Sequence, residues 1–324
     1  MSKPKVYVTD SEFPDYSFEE QVITEAGGEL IGLQCKTEED IIAQCHDAVG
    51  LIDQYAPITE KVMAALPNLK IVSRMGIGVN TVDIDGATKL GIYVGNVPDG
   101  SVEEVSNHAI TMVMCLMRKL YVFNKDIRNG GWGIGKAIPI HRPASQKLGL
   151  MGFGRIPQRI AEKAAVLGFQ ILAYDPFLSA DIIESKGARK VSFDELVAES
   201  DFISVHTPLT KDTEHMLNAD AFKKMKKTAY IVNTSRGPVI DEQALIKALQ
   251  DGQIAGAGLD VYEQEPIGKD NPLLTMGNVV LSSHAAWYSE EALVDIRTKT
   301  ALNVADVIQG KQPRYLVNKA LAKK

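Results

Sequence analysis

A short glycine segment, Gly152-Phe-Gly154, follows an apolar run typical of a strand and precedes a stretch typical of a helix. The first glycine permits a tight turn, and the second lets the backbone approach a pyrophosphate at the helix N-terminus, where free N–H groups favour anions. Pro157 stands where a third glycine is usual, and in the first helical turn proline loses only an unpaired N–H. The segment predicts dinucleotide binding, although a plain strand–helix turn has the same pattern.

An acidic residue at the expected distance strengthens this interpretation. Asp175 ends the next predicted strand, about 20 residues after the second glycine. A carboxylate at this position accepts hydrogen bonds from the ribose hydroxyls and repels the 2′-phosphate of NADP. Pro176 and Phe177 follow, with no arginine to accommodate that phosphate. The sequence therefore predicts NAD as the cofactor, the alternative being a solvated aspartate at a strand end.

Three more segments carry polar side chains directly after predicted strands of the same half of the chain. They are residues 233–237, with Arg236, residues 259–266, with Asp260 and Glu265, and residues 283–287, with His284. Ligands of open α/β sheets bind beyond the carboxyl ends of the strands. We therefore expect these side chains to converge on one site.

The elements that must position these residues alternate between strand and helix patterns. Short apolar runs typical of buried parallel strands occur at residues 5–9, 48–52, 70–73, 148–151, 170–173, 202–205, 229–232 and 279–281. Helical stretches occur at residues 18–26, 59–66, 159–167, 241–249 and 290–308. Between the two sets, Ser101 and Glu104 form a capping-box pattern before a long helix whose apolar face runs from Val105 to Leu120. This order predicts two α/β units with parallel sheets.

Length and composition limit the possible functions. The chain has 324 residues, which suggests two domains. With 35 basic and 41 acidic residues its net charge is −6, and aromatic residues make up 6%. A general nucleic-acid binder would need a basic excess or a set of stacking aromatics. We therefore expect no nucleic-acid partner.

The cysteines and apolar runs indicate where the protein resides. The three cysteines, Cys35, Cys45 and Cys115, form no C-x-x-C pair, so we expect neither disulfides nor a metal site, and a reducing compartment. The N-terminus has a strand pattern and no signal-peptide core. The longest apolar stretch, residues 109–117, is far shorter than the roughly 20 residues that span a bilayer. A cytoplasmic protein without membrane contact is expected.

Taken together, these segments resemble the D-isomer-specific 2-hydroxyacid dehydrogenases, and the resemblance covers nearly the whole chain. It rests on the glycine loop, the three polar segments and four further stretches, residues 74–78, 103–105, 130–132 and 205–210. The run from His284 to Glu290 is similar to the C-terminal-binding-protein branch of the family.

The resemblance implies a catalytic trio of Arg236, Glu265 and His284. An arginine fork can hold the carboxylate of a small 2-oxo or 2-hydroxy acid, a histidine suits proton transfer in both directions, and a carboxylate orients that histidine. Each residue taken alone also has a structural explanation. Arg236 could be a surface arginine at a turn, Glu265 a loop carboxylate and His284 a histidine of the core. A different dinucleotide-site enzyme, such as a methyltransferase, would leave the trio without a purpose.

The family pattern also implies two sets of binding residues. For the substrate these are Arg74, Gly76, Ile77 and Trp287. For the cofactor they are Gly152, Gly154, Arg155, Ile156, Asp175, His206, Thr207, Pro208, Thr234, Asp260 and Ala286. The alternatives are a salt bridge for Arg74, packing for Trp287, and strand-end capping for Asp260 and residues 206–208. Val102 and Asn107 depart from the family pattern near the cofactor.

The implied architecture has two Rossmann-like or flavodoxin-like domains with a cleft between them. Residues 1–101 plus 288–324 would form the substrate (catalytic) domain, and residues 102–287 the NAD-binding Rossmann domain. The family pattern also implies a homodimer.

Two functional alternatives stay open. The first is phosphoglycerate dehydrogenase, which we rank below reductases of small unphosphorylated acids because the sequence shows no further basic groups for a phosphate and no room for a regulatory domain. The second is an NAD(H)-sensing, corepressor-like interaction protein, which would retain the same trio.

Overall fold

The structure is a computed structural model and describes residues 3–322. The chain divides into two compact units. The first unit consists of the chain up to Ser101 together with the segment from Tyr288 onward, and the second unit is Val102–Trp287.

Strands and helices alternate along most of the chain. The strands are β1 (Lys5–Val8), β2 (Glu29–Gly32), β3 (Ala48–Asp53), β4 (Ile71–Arg74), β5 (Tyr93–Gly95), β6 (Lys147–Met151), β7 (Gln170–Tyr174), β8 (Arg189–Lys190), β9 (Phe202–Val205), β10 (Tyr230–Asn233), β11 (Gly256–Leu259) and β12 (Val279–Leu281). The helices are α1 (Ser17–Glu25), α2 (Glu38–Gln44), α3 (Glu60–Ala64), α4 (Ile84–Lys89), α5 (Val102–Met117), α6 (Leu120–Arg128), α7 (Arg155–Leu167), α8 (Ala180–Glu184), α9 (Phe193–Glu199), α10 (Ala219–Lys224), α11 (Glu242–Gln250) and α12 (Glu290–Ile308).

The first unit is built on a five-stranded sheet in the order β2-β1-β3-β4-β5, with every pair parallel. Helix α12 packs closely on one face of this sheet. A Cβ on Gly50 would lie 2.6 Å from Val304, and the hydroxyl of Ser73 donates to the carbonyl of Thr300 at 2.9 Å. The last helix is therefore part of the first unit's core.

The second unit is built on a seven-stranded parallel sheet in the order β12-β11-β10-β9-β6-β7-β8. The chain runs outward from β6 to β8 and then returns to the other side of β6 with β9. This is the doubly wound order, in which ligands bind where the direction reverses. Both sheets confirm the predicted α/β class with parallel strands.

Several parts of the second unit differ from the sequence-based expectations. Strand β8 and helices α8, α9 and α10 are not among the predicted elements. The long helix predicted to continue to Leu120 ends at Met117, because Lys119 adopts a left-handed conformation (φ 51°) at the N-cap of α6. Strand β11, Gly-Ala-Gly-Leu, is missing from the predicted strands. Its Gly258 packs against Met112 and Leu116 of α5, so the strand lacks the branched residues by which strands are recognised.

A buried ion pair joins the two chain segments of the first unit. The guanidinium of Arg297 on α12 donates to both carboxylate oxygens of Glu19 on α1, at 2.8 and 2.7 Å. Phe13 and Phe18 lie with their ring centroids 5.0 and 4.8 Å from the guanidinium carbon. Arg297 and Glu19 are almost fully buried, so water cannot replace either partner of the ion pair.

We predict that Glu19→Gln lowers the free energy of unfolding by about 3–5 kcal/mol, because it removes the buried charge partner of Arg297 and leaves only the more distant carboxylate of Asp15, 3.5 Å away. Urea denaturation measures the loss. The matched control is Asp295→Asn, which breaks an exposed pair with Lys299 on the same helix and should cost less than about 0.5 kcal/mol. Equal effects of the two changes would contradict the prediction.

Candidate active site

The predicted functional residues of the second unit lie at the carboxyl edge of its sheet. Gly152 follows β6, His206 follows β9, Thr234 follows β10, Asp260 follows β11, and His284 lies just beyond β12. Since all these strands are parallel, their carboxyl ends share one edge. The convergence expected from the sequence is therefore observed for these positions.

The side chains of His284 and Glu265 form a direct ion pair at this edge. Nδ1 of His284 lies 2.7 Å from Oε2 of Glu265, and the backbone N–H of Tyr262 donates to Oε1 at 3.0 Å. About a third of each side chain is exposed. The geometry directs one ring nitrogen of the histidine to the carboxylate and leaves Nε2 for another partner.

The pKa of Glu265 is lowered by its surroundings. Burial, the largest single effect, raises the pKa of this carboxyl group, whereas the hydrogen bond and charge of His284 lower it. The N–H of Tyr262 and the positive charge of Arg236 lower the pKa further. Glu265 therefore stays ionised at neutral pH, in the form that orients the histidine.

A buried carboxylate holds the turn that carries His284. Asp260 accepts hydrogen bonds from the N–H groups of Ala285 and Ala286, at 2.9 and 3.0 Å, and from the hydroxyl of Ser282. Its own carbonyl accepts from the N–H of His284 at 2.7 Å. These bonds stabilise a left-handed backbone at His284 (φ 55°), a conformation that is costly for residues other than glycine.

The Arg236 loop lies directly against the loop that carries Glu265. One guanidinium nitrogen, Nη1, of Arg236 donates to the carbonyl of Ser235 at 2.7 Å, and Asn233 holds the carbonyl of Arg236. A Cβ on the next residue, Gly237, would lie only 1.8 Å from the carbonyl oxygen of Tyr262. Glycine at this position thus permits the close approach of the two loops.

The residues after β6 and β7 fit the pyrophosphate and ribose of a dinucleotide. Gly152 has a positive φ of 88°, and a Cβ there would be 3.1 Å from the backbone of His206. Gly154 caps the N-terminus of α7, and no atom lies within 4 Å of its Cβ position, so that a ligand can approach the backbone. Asp175 accepts from the N–H groups of Phe153 and Phe177, at 2.9 Å each, which fixes its carboxylate beside the glycine turn.

Two buried hydroxyl groups of this edge have no partner within the described part of the chain. They are the Oγ1 atoms of Thr207 and Thr234, which follow β9 and β10. A buried polar atom without a partner is costly, and such atoms commonly mark a missing ligand or water. Both residues are predicted to bind the cofactor, and their orphaned hydroxyls fit a polar ligand at this position.

His206 is partly buried and makes a hydrogen bond of 2.7 Å through Nε2 to the hydroxyl of Ser204. Burial lowers the pKa of His206 to about 3, so its ring is neutral at physiological pH. Its neutral ring can line a cofactor site, but it supplies no charge to it.

Comparison with known proteins decides the family. The model of the D-isomer-specific 2-hydroxyacid dehydrogenase NAD-binding domain matches residues 110–286, more than half of the chain. The chain belongs to this dehydrogenase family. A glyoxylate reductase of Korarchaeum cryptofilum is 37% identical and aligns over 99% of this chain and 98% of its own. A D-3-phosphoglycerate dehydrogenase of Synechocystis is 38% identical over 86% of this chain and 50% of its own length.

Solved structures agree with this assignment. A D-lactate dehydrogenase from Aquifex aeolicus, complexed with NAD and lactic acid, superposes with a TM-score of 0.89 at 28% identity, covering 98% of this chain and 100% of its own. A glyoxylate reductase from Paecilomyes thermophila also gives 0.89 at 28% identity, covering 99% and 100%. The predictions of family, of NAD as cofactor and of an oxidoreductase acting on 2-hydroxy acids are confirmed.

Three of the residues predicted to bind the substrate do not lie at this edge of the second sheet. Arg74, Gly76 and Ile77 belong to the first unit, at the end of β4. The N–H of Gly76 donates to the carbonyl of Arg74 at 3.0 Å, so the backbone donor of this predicted substrate-binding residue is already engaged. Arg155 and Ile156, by contrast, lie in the first turn of α7, directly after Gly154, and so stand at the same edge as the glycine turn.

Two residues near His284 are not predicted from the sequence. The hydroxyl of Ser282 donates to Asp260, and Nε2 of His108 on α5 lies 3.0 Å from the same hydroxyl. Ser282 sits in the segment that precedes His284, but nothing in its spacing distinguishes it from an ordinary loop serine.

Two features are absent from the described part of the dehydrogenase. Within residues 3–322, no helix is long and apolar enough to cross a membrane. Over the same residues, no group of three or more His, Cys, Asp or Glu side chains is arranged to hold a metal ion.

We predict that Gly237→Ala lowers kcat/KM by about 100-fold, because a side chain at this position forces the Arg236 loop away from the loop of Glu265 and misplacements near 1 Å have effects of this size. Steady-state kinetics with NADH measures the loss. The matched control is Gly268→Ala, whose Cβ would meet nothing within 4 Å. Wild-type kinetics in Gly237→Ala would show that the close approach is not required.

Proposed function

We propose that this dehydrogenase works mainly as a reductase of small, unphosphorylated 2-oxo acids such as glyoxylate, with NADH as the reductant. The observation that carries the proposal is the ion pair of His284 and Glu265, fixed at the carboxyl edge of the NAD-binding sheet and within electrostatic reach of Arg236. This arrangement combines an anion-binding group with an oriented proton donor.

Arg236 would bind the carboxylate of the substrate and polarise its carbonyl. Its planar guanidinium can make two parallel hydrogen bonds to a carboxylate. The short Gly237 turn and the amide of Asn233 fix the loop from which it projects. Binding through the carboxylate would orient the carbonyl carbon, which is the general requirement for an efficient reaction.

His284 would transfer the proton. When NADH is bound, it supplies the hydride that adds to C2 of the 2-oxo acid. Nε2 of His284 gives its proton to the carbonyl oxygen, which becomes the hydroxyl, and Glu265 stabilises the imidazolium before the transfer through Nδ1. In the oxidative direction His284 takes the proton back.

The cofactor would be held by residues on the same edge. The turn at Gly152 and Gly154 would take the pyrophosphate at the N-terminus of α7. The carboxylate of Asp175 would accept from the ribose, and the orphaned hydroxyls of Thr207 and Thr234 would find partners.

The relatives support the proposed substrate class. Relatives named glyoxylate reductase match this chain over nearly their full length, whereas the chain spans about half the length of the curated phosphoglycerate dehydrogenases it matches. Phosphoglycerate dehydrogenase is kept as the alternative because the identities are similar.

Assembly and location are also part of the proposal. We infer a cytoplasmic homodimer formed through the second unit, where large apolar side chains of the loop after α6 are exposed, Trp132 to 91% and Ile134 to 68%. The three free cysteines of the chain are typical of a protein in a reducing compartment. Light scattering decides between one chain and two.

Initial rates of NADH oxidation over a panel of 2-oxo acids test the substrate class. We expect glyoxylate, hydroxypyruvate or pyruvate to give the highest kcat/KM. A large preference for phosphohydroxypyruvate would favour the alternative dehydrogenase. Tight NADH binding without turnover of any acid would overturn the proposed reaction and favour an NADH-sensing interaction protein.

We predict that His284→Ala lowers kcat on the best substrate by about 10²–10⁴-fold, the usual contribution of a positioned acid. The dissociation constant of NADH, measured by fluorescence, should stay nearly unchanged. The control is His141→Ala, which removes a histidine outside the proposed machinery. A His284→Ala enzyme with wild-type turnover would contradict the assignment.

A further inference from the structure

A second pair of a histidine and a carboxylate lies in the second unit, close in sequence to Glu265. Nε2 of His215 lies 2.7 Å from Oε1 of Glu263. Because an ionised carboxylate can only accept a hydrogen bond, Nε2 carries a hydrogen and donates it. Glu263 precedes Glu265 by two residues, in the loop that follows β11. No step of the proposed reaction uses this second pair, although it stands in the loop that carries Glu265.

The backbone of His215 is bound to the loop that carries Arg236. The N–H of His215 donates to the carbonyl of Pro238 at 2.8 Å. Two residues further along the chain, Leu217 forms a parallel bridge with Ile240, and the side chain of Leu217 is fully buried. The segment from His215 to Leu217 is therefore anchored to the core directly beside residues 234–239, which we call the Arg236 loop.

Glu263, the side-chain partner of His215, is also bound to the N-terminus of α11. The N–H of Glu263 donates to the carboxylate of Glu242 at 3.2 Å, and the carboxylate of Glu263 accepts from the N–H of Glu242 at 3.2 Å. These reciprocal bonds bring two carboxylates close together, and like charges repel each other. Among residues 3–322, His215 is the one basic side chain within 4 Å of either carboxylate. Its donated hydrogen bond therefore counteracts this repulsion.

The bonds of Glu263 act on Glu265 because both residues lie in one tight turn. The N–H of Tyr262, just before Glu263, donates to Oε1 of Glu265 at 3.0 Å. The same turn packs against Gly237, where a Cβ would lie 2.5 Å from the backbone nitrogen of Glu263. A movement of Glu263 would therefore shift the carboxylate that contacts Nδ1 of His284. We call residues 260–266 the Glu265 loop.

His215 makes these contacts from a left-handed backbone, with φ 50°. Non-glycine residues adopt this conformation at a cost, and asparagine and histidine adopt it more readily than most. Strained backbone of this kind persists where the surrounding bonds determine it, and it is concentrated at functional sites. Because asparagine tolerates the same conformation, the contribution of the backbone can be separated from that of the imidazole.

We propose that His215 is a positioning residue of the dehydrogenase, which ties the Arg236 loop to the Glu265 loop and thereby fixes the carboxylate that orients His284. The inference rests on the proposed function, in which the pair of Glu265 and His284 transfers the proton. His215 acts through Glu263 and Glu265.

The size of the expected effect follows from the exposure of the pair. About half of the His215 side chain and about a third of the Glu263 side chain are exposed. Exposed ion pairs contribute little to stability, so the protein should stay folded without this one. The reaction is more sensitive, since a misplacement near 1 Å can cost about 100-fold. For a smaller displacement we expect a loss of about tenfold in kcat.

Two amide variants separate the reach of the side chain from the conformation of the backbone. The amide of His215→Asn is too short to take the place of Nε2 at Glu263, although asparagine suits the left-handed backbone. The amide nitrogen of His215→Gln lies about as far from the backbone as Nε2 of the imidazole. We expect kcat on the best 2-oxo acid to fall about tenfold in His215→Asn and to recover most of the wild-type value in His215→Gln.

A second readout and a control accompany these variants. The dissociation constant of NADH, measured by fluorescence, should change less than twofold in both, because the proposed role concerns proton transfer rather than cofactor binding. The matched control is Glu214→Gln, which changes the neighbouring exposed side chain of the same loop and should leave kcat unchanged.

A double-variant cycle tests the route through Glu263. Glu263→Ala removes the acceptor of the His215 side chain, and we expect it to lower kcat by a similar factor. His215→Asn combined with Glu263→Ala should be no slower than the slower single variant, because both changes break the same bond. Independent effects would instead multiply to about 100-fold. Glu263→Ala also carries the test if His215→Asn folds poorly.

The outcomes separate the two proposals. A wild-type enzyme that turns over no 2-oxo acid overturns the proposed function and this inference with it. If the wild type is active, wild-type turnover in His215→Asn overturns only the role of His215. A His215→Asn enzyme that is faster than His215→Gln, or multiplying effects in the double variant, would overturn that role as well.

Discussion

The hydrogen bonds to the buried carboxylate of Asp260 are the interactions on which the candidate active site depends. It accepts hydrogen bonds from both residues after His284 and from Ser282 before it, and it is nearly fully buried. These bonds offset the cost of the left-handed backbone at the histidine. They hold the turn from which the ring of His284 reaches within 2.7 Å of Glu265. A residue predicted to touch the cofactor thus also builds the turn that presents His284.

The two units place charge at their sheet edges in different ways. In the second unit, Glu265 is ionised and paired with His284, so its burial is compensated. In the first unit, Asp53 is fully buried, its carboxylate accepts a hydrogen bond from the hydroxyl of Thr81 at 2.6 Å, and burial raises the pKa of the carboxyl group to about 7. In the proposed reaction, the first arrangement orients a proton donor. Both depend on parallel strands that end together, because this brings residues distant in sequence to one edge.

The sequence predicted the fold class and most strands because buried parallel strands leave continuous apolar runs, as at Phe202–Val205. It missed β11, whose glycines are required by the packing of α5 and carry no strand pattern. The ion pair of Glu265 and His284 was predicted through the family resemblance, and the structure brings the two side chains together. Asp53 was overlooked because an aspartate at the end of an apolar run is common, and only the register with Arg74 shows what it faces.

Helix α12 has a consequence for the synthesis of the protein. The first unit needs this helix to cover β3 and β4 and to supply Arg297 as the partner of Glu19. The first hundred residues of the chain are synthesised early. Their core stays incomplete until the C-terminal segment with α12 has been synthesised as well. The second unit is continuous in sequence and can fold as soon as it has emerged. The N-terminal residues, although made first, therefore reach their final packing last.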